Sequence, residues 1–254
     1  MKRILFLGSK PIGFLCFEYL VTHAQDLNIE IAGVLSNDNT RFGVEYSVKA
    51  LSKKCRIPFI EELDDILEME DIDFLVSVQY HRILKEQHIA VANVMAINLH
   101  MAPLPEYRGC NQFSFALYNG ENIFGTTLHR LEKGIDSGDI IFERRFQIPA
   151  DCDVKTLYDI TFESSVQLFK DRMGAIFKGD YELTSQESLL DRRKTNLYYR
   201  KDISTLKQIP LNEEDKAELE LRVKSTSMPG FEPPYINVGE KKYYIIPEDQ
   251  FNQA

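Results

Sequence analysis

A strand-like run, VMAINL over 94–99, leads straight into His100, so Asn98 and His100 stand two residues apart. Residues two apart on a strand point to the same side, which lets an amide and an imidazole face one reaction space. Asp136 lies in the glycine-flanked turn GIDSGD, just after a second strand-like run, GTTLHRLE. From there a carboxylate can reach back to an imidazole. An Asn amide donates a hydrogen bond without changing charge, which suits a developing oxyanion and is worth roughly 3–4 kcal/mol. A histidine can act as base or as protonated donor near neutral pH. A carboxylate can fix the imidazole tautomer, stabilise its cation, or relay a proton through water. Singly, each has a plainer role: Asn98 as a strand cap, His100 as a structural strand-end residue, Asp136 as a turn former. His129 reads as an ordinary strand residue, Asp139 as part of the turn, and His23, His81 and His88 as surface or loop residues.

The elements that must position this set follow from hydrophobic pattern. Lys2–Gly8 is a short apolar strand, and Ile12–His23 has helical spacing after the GSKPIG turn. Pro11 suits the first helical turn, and the free N–H groups there can hold a phosphate, with Lys10 as a candidate contact. The alternative is an ordinary strand-to-helix connection. A G-x-G-x-x-G fingerprint is missing, because Lys10 stands where its second glycine belongs. A second strand covers Ile29–Ser36 and runs into the polar loop NDNTRFG. The pattern then predicts a helix over Val44–Cys55, a brief third strand over Ile57–Ile60 and a short acidic helix over Asp64–Glu70. Phe74–Val78 is apolar and β-branched, the mark of a buried parallel strand. The loop Gln79–Leu84, a helical turn over Lys85–Ile89 and the strand bearing Asn98 come next. Beyond the turn lie an edge strand, Ile140–Ile148, and one long helix, Val154–Gly179, with Gly179 as its stop. This alternation predicts an α/β, Rossmann-like fold: a mostly parallel sheet with right-handed crossovers and helices on both faces. Asn98 and His100 fall at the carboxyl ends of its strands, where such sheets hold ligands.

From Asp180 the composition turns polar with clustered aromatics. A helix over Pro210–Lys224 and a hairpin between Ser227 and Pro247 are expected. The chain divides into a catalytic domain, 1–179, and a small C-terminal α+β subdomain, 180–254, that folds against it. With 254 residues, 44% of them apolar, the chain is long enough for that plan. No run of ~18 apolar residues is present, so no spanning helix is expected. The start, MKRILFLGSKPIG, reads as a first strand and not as a signal peptide. Four scattered cysteines, without a C-x-x-C pair, point to free thiols in the cytoplasm and away from zinc. A net charge of −9 is an unfavourable field for a long nucleic acid.

The N-x-H at Asn98/His100, the A-P-L-P-x-Y-R-G at Ala102–Gly109, the G-x-T-L-H at Gly125–His129 and the D-x-G at Asp136–Gly138 carry a resemblance. In order and spacing this stretch resembles the formyltransferases that use 10-formyltetrahydrofolate, and among them it is most similar to the sugar N-formyltransferases. The resemblance implies transfer of a formyl group from that co-substrate to the amine of a nucleotide-linked deoxysugar, with thymidine the commonest nucleoside. It implies Asn98, His100 and Asp136 as the catalytic residues, without settling which is the final base. It implies folate binding by the main chain of Gln79–Leu84, with Gln79, Tyr80, Arg82, Ile83 and Leu84 as candidate contacts. The proline-stiffened loop with Tyr107 and Arg108 would border the amine substrate, Arg108 serving either as an anion contact or in a structural ion pair. Of the tail aromatics Tyr198, Tyr199, Phe231 and Tyr235, the choice for stacking on the nucleobase is Tyr199 and Phe231, with packing as the alternative. A cytoplasmic homodimer, without metal, nucleic acid or membrane, and a place in lipopolysaccharide O-antigen synthesis complete the implied picture. A glycinamide ribonucleotide or methionyl-tRNA type of transferase, and a silent folate- or nucleotide-binding module, are the alternatives. Because the catalytic set precedes residue 140 and the aromatic pairs follow 190, the tail is expected to serve sugar-nucleotide binding more than folate binding.

Overall fold

In a computed structural model the described residues are 1–38, 43–212 and 215–248. Positions 39–42 of the polar loop, and 213–214 in the expected acidic-basic helix, lie outside them. The chain begins with strand β1 (Lys2–Gly8), helix α1 (Lys10–Thr22) and β2 (Ile29–Leu35), then α2 (Val48–Lys54), β3 (Ile72–Val78), α3 (Glu86–Ile89) and β4 (Ala92–His100). It continues with β5 (Arg108–Gly109), α4 (Gln112–Tyr118), β6 (Ile123–Arg130), β7 (Ile140–Gln147) and α5 (Val154–Lys178). The last part holds β8 (Leu197–Tyr198), α6 (Ser204–Lys207), α7 (Lys216–Thr226) and the hairpin β9 (Tyr235–Val238) and β10 (Lys241–Tyr244).

Six strands form one sheet in the order β2-β1-β3-β4-β6-β7. The first four are parallel; β6 and β7 turn antiparallel at one side. Period-2 alternation on strands buried on both faces explains the two cores. Ile4, Phe6, Phe74, Val76 and Ile97 point to one side, against Phe17 and Leu20 of α1 and Phe169 and Met173 of α5. Leu5, Leu7 and Leu75 point to the other, where Leu63 and Ile66 of a 3-10 turn cover them. The two faces are thus unequal: full-length helices lie on one, and single turns and loops on the other. The long helix α5 starts where Asp153 accepts a hydrogen bond from the Thr156 N–H and stops at the left-handed Gly179.

Several sequence expectations change. Ile57–Ile60 is not a strand but a single bridge, Phe59 to Val34, because Pro58 has no N–H to extend a ladder. The helix expected over Val44–Cys55 is broken at the extended Ser47, whose side chain caps α2 by accepting from the Ala50 N–H. The acidic helix is a 3-10 turn over Leu63–Glu68. The helix expected from Pro210 begins at Lys216, where Asp215 caps it. His88 is buried, not superficial: it is 1% exposed, and its Nε2–H donates to Asp64 at 2.8 Å. Among the described residues, no helix is long and apolar enough to cross a membrane.

Candidate active site

Strands β4 and β6 are register partners with Asn98 opposite His129 and His100 opposite Thr127. This pairing puts two imidazoles and an amide at one edge of the sheet, beneath the 133–139 turn. The Nε2–H of His100 donates to the Tyr107 carbonyl at 2.7 Å, and the Nδ1–H of His129 donates to the Arg130 carbonyl at 2.7 Å. A carbonyl only accepts, so each partner fixes its ring's tautomer. The remaining nitrogens, His100 Nδ1 and His129 Nε2, lie 3.7 and 3.5 Å from the two oxygens of Asp136. The rings themselves meet edge-on, 6.3 Å apart. Asn98 Nδ2 donates to His129 Nε2 at 3.2 Å, leaving its second N–H for another acceptor.

Asp136 is the hub. Burial pushes its carboxyl up, but the charge His100 bears when protonated, the His129 ring and the Gly109 N–H overcome this and hold it well below the usual carboxylate range. The Gly109 N–H donates to Asp136 Oδ2 at 2.9 Å. Two glycines make that approach feasible. Gly109 has φ +89°, and a Cβ there would lie 2.2 Å from the Tyr198 carbonyl; a Cβ on Gly138 would lie 2.1 Å from the Arg130 carbonyl. Asp136 itself is left-handed, φ 47°, an uncommon state for a residue with a Cβ.

Outer contacts brace both loops. The Arg108 Nε–H donates to the Ile135 carbonyl at 2.9 Å, and the Gln186 amide donates to the carbonyls of Asp136 at 2.9 Å and Gly138 at 2.7 Å. Arg193 donates to the Leu104 carbonyl and forks onto Glu143, and the Asn196 amide donates to the Glu106 carbonyl. The Arg108 N–H donates to the Asn196 carbonyl and the Cys110 N–H to that of Tyr198, which aligns β5 with β8.

The structure brings together Asn98, His100 and Asp136. Sequence reasoning left out His129, whose ring joins them; the register opposite Asn98, invisible in sequence, places it there. Tyr107 is a correction. Its side chain is 2% exposed among Phe124 and Tyr198, with its hydroxyl on Glu121, so it packs in the core and lines no open surface. Its carbonyl, through His100, is what serves the site. Arg108 makes no ion pair among the described residues; it staples the Asp136 turn. Lys10 Nζ donates to Gln79 Oε1 at 2.9 Å, which ties the first turn to the 79–84 loop. In that loop Ile83 is 85% exposed, Arg82 pairs with Glu62, and Tyr80 and Leu84 pack inward. Tyr199 and Phe231 are exposed, whereas Tyr198 stacks on Phe115 at 4.0 Å and Tyr235 is buried. Among the described residues no group of His, Cys, Asp and Glu side chains is arranged to hold a metal ion.

The profile of the family described as "Formyl transferase" matches residues 2–173. A methionyl-tRNA formyltransferase of Staphylococcus aureus (strain Newman) is 26% identical over 195 residues, 74% of this chain and 62% of the relative. The chain therefore spans less than two thirds of that relative's length. Among solved structures, an N-formyltransferase from Helicobacter canadensis, in complex with folinic acid and dTDP-3-aminofucose, superposes with a TM-score of 0.75 at 22% identity. That match covers 95% of this chain and 86% of the other. A sugar N-formyltransferase from Shewanella sp FDAARGOS_354 superposes with a TM-score of 0.76 at 19% identity over 97% of both chains. At such identities these likenesses establish the fold.

Proposed function

The chain belongs to the formyl transferase family, and from that premise we propose that it moves a formyl group from 10-formyltetrahydrofolate to the amine of a nucleotide-linked amino-deoxysugar, with dTDP as the carrier. The carrying observation is the end-to-end likeness to a sugar N-formyltransferase over 97% of both chains, tail included. The matching sequence signature is the Asn98, His100 and Asp136 set.

10-Formyltetrahydrofolate, as co-substrate, supplies the formyl carbon and departs as an amine. The 79–84 loop suits a flat, half-apolar ring: it offers main-chain groups beside the exposed Ile83. In the transfer, the second N–H of Asn98 stabilises negative charge on the formyl oxygen. His100 Nδ1, whose ring is held through its other nitrogen by the Tyr107 carbonyl, takes the proton from the attacking nitrogen and passes it to the folate nitrogen as the bond from that nitrogen to the formyl carbon breaks. The ionised Asp136 complements the imidazolium so formed, across a gap of 3.7 Å that closes on binding or takes a water. His129 Nε2 accepts from Asn98 and so orients its amide, with the ring packed beside Asp136.

On the sugar-nucleotide side, Lys10 faces the diphosphate and the exposed Tyr199 and Phe231 offer faces to the base. The 1–179 part acts as the catalytic unit, with 180–254 appended to it. A cytoplasmic homodimer working in lipopolysaccharide O-antigen synthesis goes with this reading.

The test is incubation with 10-formyltetrahydrofolate and a panel of nucleotide-linked amino sugars, read by mass spectrometry. A gain of one formyl group on a sugar is expected. Folate-dependent formylation of a different amine, with no binding of free nucleotide, would replace this reading with the glycinamide type.

A further inference from the structure

The side chain of Gln186 lies outside the family-matched segment, yet it touches the hub of the site. It is 7% exposed, and its Nε2 donates both hydrogens, to the carbonyls of Asp136 and Gly138. Its Oε1 is buried and finds no hydrogen-bond partner among the described residues. An amide that leaves a buried oxygen unpaired carries a penalty that packing alone does not explain. The turn it grips is the strained one, where Asp136 takes φ 47°. The bonds from Gln186 neutralise two carbonyls on that turn and fix where the Asp136 carboxylate points. The neighbouring chain repeats the pattern. Thr184 exchanges two 2.9 Å backbone hydrogen bonds with Ile140, and Arg193 and Asn196 hold the carbonyls of Leu104 and Glu106 on the loop that orients His100.

We propose that Gln186 is a positioning residue for the transfer reaction, and that residues 184–198 form a strap setting the carboxylate of Asp136 against His100 and His129. The proposal rests on the reading of these three as catalytic groups. Gln186 acts through backbone carbonyls, so it touches neither substrate nor reacting atom.

Gln186→Met tests this, because it keeps the side-chain length and loses both donors. Outer-shell partners of this kind typically change activity by about 10–100-fold. The expected result is a kcat reduced about 10–100-fold, both KM values within about twofold of the parent, and shifted titration curves of His100 and His129 in proton NMR. Gln186→Asn, which keeps the amide on a shorter arm, is expected to fall between the two, and it replaces the Met variant if that one fails to fold. A kcat within about twofold of the parent, a change in KM alone, or histidine titrations that superimpose on the parent's would overturn the proposal. If the parent protein formylates no amino sugar at all, the functional reading fails. The strap is then judged on the histidine titrations alone, which need no substrate.

Discussion

Two loops at the carboxyl edge of the sheet are built to opposite rules. The 133–139 turn, bearing Asp136, is gripped by Arg108, Gln186 and the Gly109 N–H, with a further backbone bond from Arg130 to the Asp139 carbonyl. The 79–84 loop is tied at its ends, by Lys10 on Gln79 and by the Lys85 N–H on His88, with an exposed Arg82–Glu62 pair at 3.7 Å between. An exposed pair of this kind contributes little. The contrast tracks the tasks proposed for them. Proton transfer between an imidazole, a carboxylate and an amine fails when atoms drift by an ångström, so its loop is overdetermined. A flat ring read by main-chain groups tolerates small shifts, so its loop needs anchored ends only.

Six substitutions break or sharpen that contrast, in falling order of effect. His100→Ala and Asp136→Asn, on the gripped side, are each expected to lower kcat by about 10²–10⁴-fold while folate binding persists. Steady-state kinetics with parallel calorimetry checks this, and near-normal turnover in either variant removes that residue from the chemistry. Next, Tyr199→Ala and Phe231→Ala, made singly, are expected to weaken nucleotide binding about five- to 150-fold, from ~1–3 kcal/mol per stacked base. Folate affinity should not move, and calorimetry with each ligand alone separates the two. His129→Gln is expected to lower kcat about tenfold, the low end for a group that orients others. A change in KM without kcat would make it a binding residue instead. The smallest effect belongs to the loosely held loop: Ile83→Ala removes apolar surface worth about 1 kcal/mol and should raise the KM for 10-formyltetrahydrofolate about fivefold, with kcat unchanged.

The legible part of the molecule was the part with local period or motif. Strand and helix order followed from apolar alternation, as in Leu5 and Leu7 against Ile4 and Phe6. Asn98, His100 and Asp136 were legible because two residues on one strand and a glycine-flanked turn leave a short-range pattern. His129 was not, since a histidine in a strand looks ordinary until the β4–β6 register sets it opposite Asn98. Tyr107 misled because an aromatic after two prolines reads as a pocket wall, and burial under Phe124 and Tyr198 is a tertiary fact. Gln186 carried no signal at all: its partners are carbonyls, which every residue has. The expected division of labour along the chain is too simple for the same reason. Residues 184–198 brace the catalytic turn, so removing everything after Gly179 strips supports from Asp136 as well as aromatics from the tail.

The strap also sets the order in which the molecule can be finished. Arg193 and Leu104 are 89 positions apart, and Gln186 follows Asp136 by 50. Chains grow from the N-terminus at roughly 5–20 residues per second, so the Asp136 turn spends roughly 3–10 s in existence before Gln186 has even been joined to the chain. During that interval the carbonyls of Asp136 and Gly138 are bonded to water, and the turn has the Gly109 N–H and the Arg108 side chain to hold it but not Gln186. The β1–β3 pairing spans 70 positions, Ile4 to Phe74, but both partners precede the loops in the chain, whereas closure of the 184–198 segment over the loops needs residues made later and is itself a long-range event. Competence for catalysis is therefore acquired at a late step of folding, after the core has formed, and a nascent chain with a complete sheet is still without a set carboxylate.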